Sequence, residues 1–153
     1  HGHPEYKFLW AGSPSKVKIG VSQQSTGSYP NIFTMPLDVR LRGENGTVDI
    51  QDIWIDQENA KFLLATVFQP TSLTLDPNGW VLGDYSGFEV GFLGDINVDN
   101  QINILDIIAT ANYVLLPSEI TEDQYFLTDI DGDNIISIMD IIHIVNIILD
   151  NTA

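Results

Sequence analysis

DINVDNQINILD at residues 95–106 and DIDGDNIISIMD at residues 129–140 are two copies of one 12-residue pattern, and they begin 34 residues apart. Positions 1, 3, 5, 9 and 12 of both copies carry oxygen-bearing side chains. In the first copy these residues are Asp95, Asn97, Asp99, Asn103 and Asp106, and in the second they are Asp129, Asp131, Asp133, Ser137 and Asp140. Each copy runs directly into an apolar segment with helical periodicity. Two acidic stretches in the same register indicate a repeated site rather than a solvated acidic surface.

The spacing of these oxygens is the spacing that binds calcium. Ca²⁺ takes about six to eight oxygen ligands, and a 12-residue loop can supply them from positions 1, 3, 5, 9 and 12 together with the backbone carbonyl at position 7. Position 7 is Gln101 in the first copy and Ile135 in the second. Position 8 is isoleucine in both (Ile102 and Ile136), as expected for a side chain that packs between paired loops. The sequence therefore predicts two bound Ca²⁺ ions.

Both loops depart from the EF-hand pattern. Position 6 is Asn100 or Asn134 instead of glycine, and asparagine tolerates positive φ best among the other residues. Position 12 is Asp rather than Glu, and no helix-length segment precedes the first loop. A loop followed by a helix, twice, resembles the type I dockerin over about residues 93–153. The resemblance implies an α-helical two-calcium module of the F-hand type, calcium ligands at the positions above, and a cohesin domain as partner.

In dockerins, loop positions 10 and 11 and the helix that follows contact the cohesin. The resemblance places this surface, by helical spacing, at Ile104, Leu105, Ile108, Ala111, Asn112 and Leu115 and at Ile138, Met139, Ile142, Val145, Asn146 and Leu149. A second set, one step around each helix, is expected to fill the module's own core: Ile107, Val114, Ile141, Ile144 and Ile148. Helices that are apolar on nearly two faces indicate an interface. That interface could be with a cohesin or with the rest of this chain, and the two helices could divide these roles.

Residues 1–92 have the alternating pattern of β-strands. Apolar residues alternate with polar ones over 17–21 and 33–41, and further strands are predicted near 48–55, 62–68 and 72–75. About seven short strands between Gly, Pro and Asn turns predict an all-β immunoglobulin-like sandwich. After it, the pattern predicts helices at 106–116 and 140–150 and a short helix within 118–128. We therefore predict two domains, 1–92 and 93–153, with any hinge inside 83–94.

The first half also resembles the β-sandwich that follows the catalytic domain in zinc peptidases of the aminopeptidase N type. The similar segments are HGHPEYKFLW, SKVKIGVSQQSTGSYPNIFTMPLDVRLRG and FLLATVFQPTSLTLDPNGWVL. The zinc motif HExxH of that family is absent from the sequence, and His1, His3 and His143 are not spaced to replace it. The resemblance therefore implies a non-catalytic accessory domain whose parent protein is a peptidase.

Charge is divided unequally along the chain. The net charge is −15, and all six Lys and Arg residues precede residue 93, whereas the last 61 residues contain 11 acidic side chains and no basic one. Such a charge argues against nucleic acid as a partner. The sequence contains no cysteine and no uninterrupted apolar stretch of membrane-spanning length. Millimolar calcium is found outside cells, so we expect an extracellular or surface-attached protein.

A carbohydrate partner is not expected. Trp10, Trp54, Trp80, Tyr6, Tyr29 and Tyr85 are scattered over several strands, which favours packing over a sugar-stacking platform. The functional hypothesis is a calcium-dependent, cohesin-binding module that tethers a secreted enzyme to a scaffold or a cell surface. The alternative is a calcium-stabilised structural cap that packs on the sandwich and recruits no cohesin.

Overall fold

The computed structural model of the chain describes residues 3–25 and 32–152, with the last two of these as backbone alone. Within these residues it contains seven β-strands and three α-helices. The strands are β1 (Pro4–Gly12), β2 (Lys16–Ser25), β3 (Met35–Gly43), β4 (Val48–Ile55), β5 (Asn59–Ala65), β6 (Pro70–Leu75) and β7 (Asp84–Phe92). The helices are α1 (Ile104–Leu115), α2 (Glu122–Thr128) and α3 (Ile138–Thr152). Tyr29 and His1 lie outside the described residues.

The strands form two sheets. The four-stranded sheet has the order β5-β2-β1-β7, and the three-stranded sheet has the order β4-β3-β6. All neighbouring strands are antiparallel except β1 and β7, which are parallel. The alternation that predicted the strands also decides which side chains point inward: Val17, Ile19 and Val21 of β2 and Leu37, Val39 and Leu41 of β3 are buried between the sheets. Each alternating face has thus found an apolar partner, which gives a β-sandwich-like fold.

The predicted strands are present, and most of them differ from the prediction at their ends. β4 has the predicted bounds, whereas β5 begins and ends three residues before the predicted 62–68. β6 begins at Pro70, two residues before the predicted 72–75. Pro70 can start this strand because β6 is at the edge of its sheet, where a missing N–H donor is tolerated.

The segment 83–94, to which any hinge was assigned, contains strand β7. It pairs with β1 from Glu5↔Asp84 to Gly12↔Phe92, with one irregularity between Trp10 and Ala11. Its glycines, which made the segment resemble a linker, allow close packing. A Cβ atom on Gly87 would lie 2.6 Å from ring atoms of Phe8, which is too close for any side chain. β7 therefore joins the sheet directly to the helical part of the chain.

The helices share a core with the four-stranded sheet. Ala11 at the end of β1 and Leu93 just after β7 are buried together with Phe126, Leu127, Ile130, Ile144 and Ile147. Leu9 and Val90, from the outer face of the sheet, pack against this cluster. Backbone hydrogen bonds connect the two parts as well, from Leu93 N–H to the Gly12 carbonyl (3.0 Å) and from Gly94 N–H to the Leu127 carbonyl (2.8 Å).

The predicted fold class, an immunoglobulin-like sandwich followed by a separate α-helical dockerin module, is therefore wrong. The chain is a β-rich domain with two sheets and three short helices, and no EF-hand dockerin module is evident among residues 3–25 and 32–152. The physical reason is that the apolar side of the helices is buried against β1 and β7 instead of closing a core of its own. Within the predicted core set, Ile144 is buried, but Val114 is 36% exposed, and Ile147, which was not predicted, is buried.

Charge complements this packing. All four lysines of the sequence, Lys7, Lys16, Lys18 and Lys61, lie on the outer face of the four-stranded sheet, since they occupy register positions on the same face as Leu9 and Ala11. Three of them contact the acidic helical part: Lys16 Nζ lies 2.8 Å from His143 Nδ1, and Lys18 and Lys61 reach the second loop. Among the described residues, no helix has the length and the apolar character needed to cross a bilayer.

A shared core predicts shared unfolding. Ile144→Ala should destabilise the chain by about 2–5 kcal/mol because it removes a fully buried side chain, whereas Ile142→Ala, at a position 46% exposed, should lose less than about 1 kcal/mol. The three tryptophans all precede residue 93, so their fluorescence reports on the sandwich and far-ultraviolet circular dichroism reports on the helices. In urea, both signals should shift together for Ile144→Ala. A helical transition that moves while the tryptophan transition stays would contradict the shared core.

Candidate metal-binding loops and adjoining helix surfaces

Loop 1 (residues 95–106) is closed by its own acidic side chains. Asp95, at position 1, accepts hydrogen bonds from the backbone N–H groups of Asp99 (3.1 Å) and Asn100 (2.8 Å). At position 12, Asp106 accepts from the N–H of Asn103 (2.9 Å). The side chain of Asn103 in turn accepts from Leu105 N–H (2.8 Å), which caps α1. The first and last acids of the pattern are thus the residues that bend the chain into a loop.

Loop 2 (residues 129–140) repeats these contacts at the same positions. Asp129 accepts from Asn134 N–H (3.1 Å), Asp140 accepts from Ser137 N–H (2.8 Å), and Ser137 Oγ accepts from Met139 N–H (3.1 Å). Position 6 is left-handed in both loops, with φ of 65° at Asn100 and 68° at Asn134, as the sequence predicts for asparagine there. Ile102 is half-buried and Ile136 is buried, in agreement with the expected inward position 8.

The remaining predicted ligands of the two loops differ in their solvent exposure. Asn97, Asp99 and Gln101 of loop 1 and Asp133 and Ile135 of loop 2 are exposed, whereas Asn103, Asp131 and Ser137 are half-buried. In loop 2, one carboxylate oxygen from each of Asp129, Asp131 and Asp133 lies within 4.8 Å of the others. Gln101 and Ile135 can contribute their backbone carbonyls alone, as predicted, because their side chains face solvent.

Four carboxylates of the loops are buried, and among the described residues Asp129 alone of the four forms ion pairs with lysines. Asp95 is 1% exposed, and Asp106, Asp129 and Asp140 are fully buried. Burial raises the pKa of Asp106 and of Asp140 above the ordinary value, neighbouring carboxylates of the same loop add to the rise, and backbone N–H donors oppose it. Buried negative charges are stable when a cation neutralises them. An all-oxygen set of carboxylate, amide, hydroxyl and carbonyl donors is what a hard divalent cation requires, so the residues present fit Ca²⁺.

Two lysines from the sheet approach loop 2, and no sequence pattern indicated these contacts. Lys18, on β2, is 1% exposed and donates to the carbonyls of Phe126 (3.0 Å) and Asp129. Its Nζ lies 3.6 Å from Asp129 Oδ2 and 4.4 Å from the centre of the Phe126 ring. Burial lowers the pKa of Lys18 to about 8, and the Asp129 charge partly opposes the shift. Lys61, on β5, reaches Asp129 Oδ2 at 3.8 Å and donates to Asn134 Oδ1.

The predicted partner surface is solvent-exposed on both helices. On α1, Ile104, Leu105, Ile108 and Leu115 are 65%, 54%, 50% and 76% exposed. On α3, the matching residues Ile138, Met139, Ile142 and Leu149 are 66%, 49%, 46% and 59% exposed. Asn112 and Asn146 are exposed as well, and Ala111 and Val145 are half-buried. The buried residues of α3 lie on a different side, so packing on the sheet leaves both surfaces open.

The aromatic residues do not form one platform. Tyr6 and Trp10 are buried, and the Tyr6 ring stacks on Tyr85 with centroids 5.3 Å apart. Trp54 and Trp80 are 56% and 82% exposed, Trp54 on β4 of the three-stranded sheet and Trp80 in the turn before β7. Tyr6 and Trp10 therefore serve packing, as expected, whereas Trp54 and Trp80 are exposed on separate elements.

Comparisons with known proteins show no sequence family and only a weak structural similarity. No protein-family model matches the chain, and no curated protein matches it. Among solved structures, the crystal structure of aminopeptidase A from Legionella pneumophila in complex with aspartic acid is similar over 97% of this chain, with 10% identity and a TM-score of 0.42. The chain spans 21% of the length of that protein. A similarity this low carries no argument about activity.

The raised pKa values predict an unusual acid response without metal. A carboxyl group whose pKa is raised in the folded state binds more protons folded than unfolded, so its contribution to stability is present at low pH and is lost as the pH rises through the raised pKa. In EDTA, acidification from pH 7 to pH 5 should therefore raise the thermal midpoint. In excess calcium the same acidification should lower it, because protons then compete with the ion. A midpoint that falls with acid in EDTA would contradict the role given to Asp106 and Asp140.

Proposed function

We propose that this chain is a non-catalytic, calcium-binding accessory domain that recruits a protein partner through the exposed surfaces of α1 and α3. The observation that carries the proposal is the matched geometry of the two loops, in which buried carboxylates at positions 1 and 12 close each loop around further oxygen donors. Buried like charges repel one another, and a divalent cation between them would remove that repulsion.

The ligands would come from the same positions in each loop. Asp95, Asn97, Asp99, the Gln101 carbonyl, Asn103 and Asp106 would hold one ion. Asp129, Asp131, Asp133, the Ile135 carbonyl, Ser137 and Asp140 would hold the other. The bound ions would supply positive charge that the last 61 residues lack in their own sequence. They would thereby hold each loop rigid at the start of the helix that follows it.

Calorimetric titration of the whole chain with CaCl₂ should give two ions per molecule. Asp95→Ala and Asp129→Ala should each remove one ion, because position 1 provides a buried charged ligand that no neighbour replaces. Asp52 is an exposed residue of β4. Asp52→Ala removes the same charge outside the loops and should leave two ions bound. Stoichiometry of one in the unchanged chain, or loss of an ion in Asp52→Ala, would contradict the assignment.

The partner proposed for the helix surfaces is a cohesin-type domain, as the resemblance of the loops and helices implies. Support comes from the exposed apolar side chains at equivalent positions of α1 and α3, which form two similar surfaces on one molecule. No Lys or Arg lies on either helix, so the complementary surface must be apolar rather than acidic. The tethered enzyme would be a secreted peptidase, which fits the resemblance of residues 1–92.

A second candidate function is the structural cap. The shared core and the buried Lys18 favour it, because they bind the helical part firmly to the sheet whether or not a partner is present. In that case calcium would stabilise the end of a larger enzyme and nothing would be recruited. The two candidates differ in what happens when the exposed surfaces are altered.

Purified cohesin domains from the same organism distinguish the candidates. If both surfaces are usable, Ile104→Asp with Leu105→Asp should leave binding nearly intact, and so should Ile138→Asp with Met139→Asp. The four changes together should abolish binding, since charge inside an apolar contact is strongly unfavourable. Thermal midpoints should change little, because all four side chains are exposed. Absence of cohesin binding by the unchanged, calcium-loaded chain would favour the cap.

A further inference from the structure

The two loops have similar sequences but different electrostatic surroundings. At position 1 of loop 2, Asp129 Oδ2 lies 3.6 Å from Lys18 Nζ and 3.8 Å from Lys61 Nζ. Among the described residues, no Lys, Arg or His side chain forms an ion pair with an acid of loop 1. Loop 1 therefore presents its full negative charge to a cation, whereas two fixed positive charges already face loop 2.

The lysines also support the shape of loop 2 directly. Lys18 joins the last turn of α2 to the first residue of the loop, because it donates to the carbonyls of both Phe126 and Asp129. Lys61 donates to the side chain of Asn134, the left-handed residue at the tip. Tyr125 donates to the Asn134 carbonyl from the other side. Loop 2 is thus held by groups outside itself, and loop 1 has no such lysine.

We propose that Lys18 and Lys61 set the calcium affinity of loop 2, making it the weaker site and keeping it folded when calcium is absent. This inference rests on the proposed calcium binding of the loops. A cation entering loop 2 meets the repulsion of two ammonium groups, so part of its binding energy is lost. When the cation dissociates from loop 2, the same ammonium groups supply some of the positive charge that is lost. Loop 1 would bind calcium at a lower calcium concentration. When calcium is removed completely, loop 1 would lose its structure before loop 2 does.

Calorimetry of the whole chain in low-salt buffer tests the affinity. Asp95→Ala isolates loop 2 and Asp129→Ala isolates loop 1, and loop 1 should bind calcium more tightly. In the Asp95→Ala background, Lys61→Gln keeps an amide donor but removes the charge. This change should increase the calcium affinity of loop 2 by about three- to tenfold. Lys7→Gln is the matched control, because Lys7 lies on the same sheet face but is exposed and lacks a contact with Asp129. It should change the affinity by less than about twofold.

The outcomes separate this inference from the proposed function. If no calcium binds at either loop, the proposed function fails. If two ions bind with equal affinity, or if Lys61→Gln leaves loop 2 unchanged, calcium binding stands and the role of the lysines is wrong. Lys18→Met is a second variant for measuring the effect of the lysines on loop 2, provided that its thermal midpoint shows that it folds.

Hydrogen exchange in EDTA tests the calcium-free state. The amides of Ile130 and Asn134, which are hydrogen-bonded to loop 2 carboxylates, should exchange at least about tenfold more slowly than those of Asp99 and Asn100 in loop 1. Lys61→Gln should reduce this difference and Lys7→Gln should not. Equal exchange in both loops of the unchanged chain would overturn the second half of the inference.

Discussion

The negative charge of residues 93–153 is the constraint on which the rest of the structure depends. Eleven acidic side chains without one Lys or Arg repel one another, and this repulsion opposes a compact structure unless positive charge comes from elsewhere. The four-stranded sheet provides part of it, because its outer face carries every lysine of the chain. Lys18 shows the strength of this requirement, since an ammonium group is buried here only where two carbonyls and a carboxylate surround it. The loops would obtain the remainder from bound cations.

Strand β1 connects the two cores. Alternate residues of one strand point to opposite faces of the sheet, so Tyr6 and Trp10 lie between the two sheets while Leu9 and Ala11 lie under the helices. The parallel strand β7 adds Val90 to the outer face and carries the chain directly into loop 1. A helical part held through β1 and β7 cannot move as a bead on a linker. Its two acidic loops are consequently presented in a fixed direction relative to the sandwich.

The sequence was sufficient for features that depend on local pattern and insufficient for those that depend on distant contacts. Alternation located β2, β3 and β4, and helical periodicity located α1 and α3, because each signal lies within a dozen residues. Asn100 and Asn134 were predicted as left-handed from their place at position 6 of the loop pattern and from their residue type. β7 was missed because Gly87 resembles a linker residue until Phe8 is placed against it. The burial of Ile147 and the contact of Lys18 with Asp129 join residues far apart in the chain, and no local pattern encodes them.

The same distinction explains why two nearly identical repeats acquire different properties. Each repeat determines its own loop closure, helix start and exposed apolar surface, so these features recur at equivalent residues. The sheet, however, contacts the two repeats differently. Ile144 and Ile147 of α3 pack in the shared core, and loop 2 lies beside Lys18 and Lys61. Helix α1, in contrast, contacts mainly α3. Burial on the sheet uses a side of α3 distinct from Ile138 and Met139. The fold can therefore give the two loops different electrostatic surroundings while leaving the two helix surfaces alike. If the proposed function holds, a difference in calcium affinity between the loops would not require a difference in partner recognition between the helices.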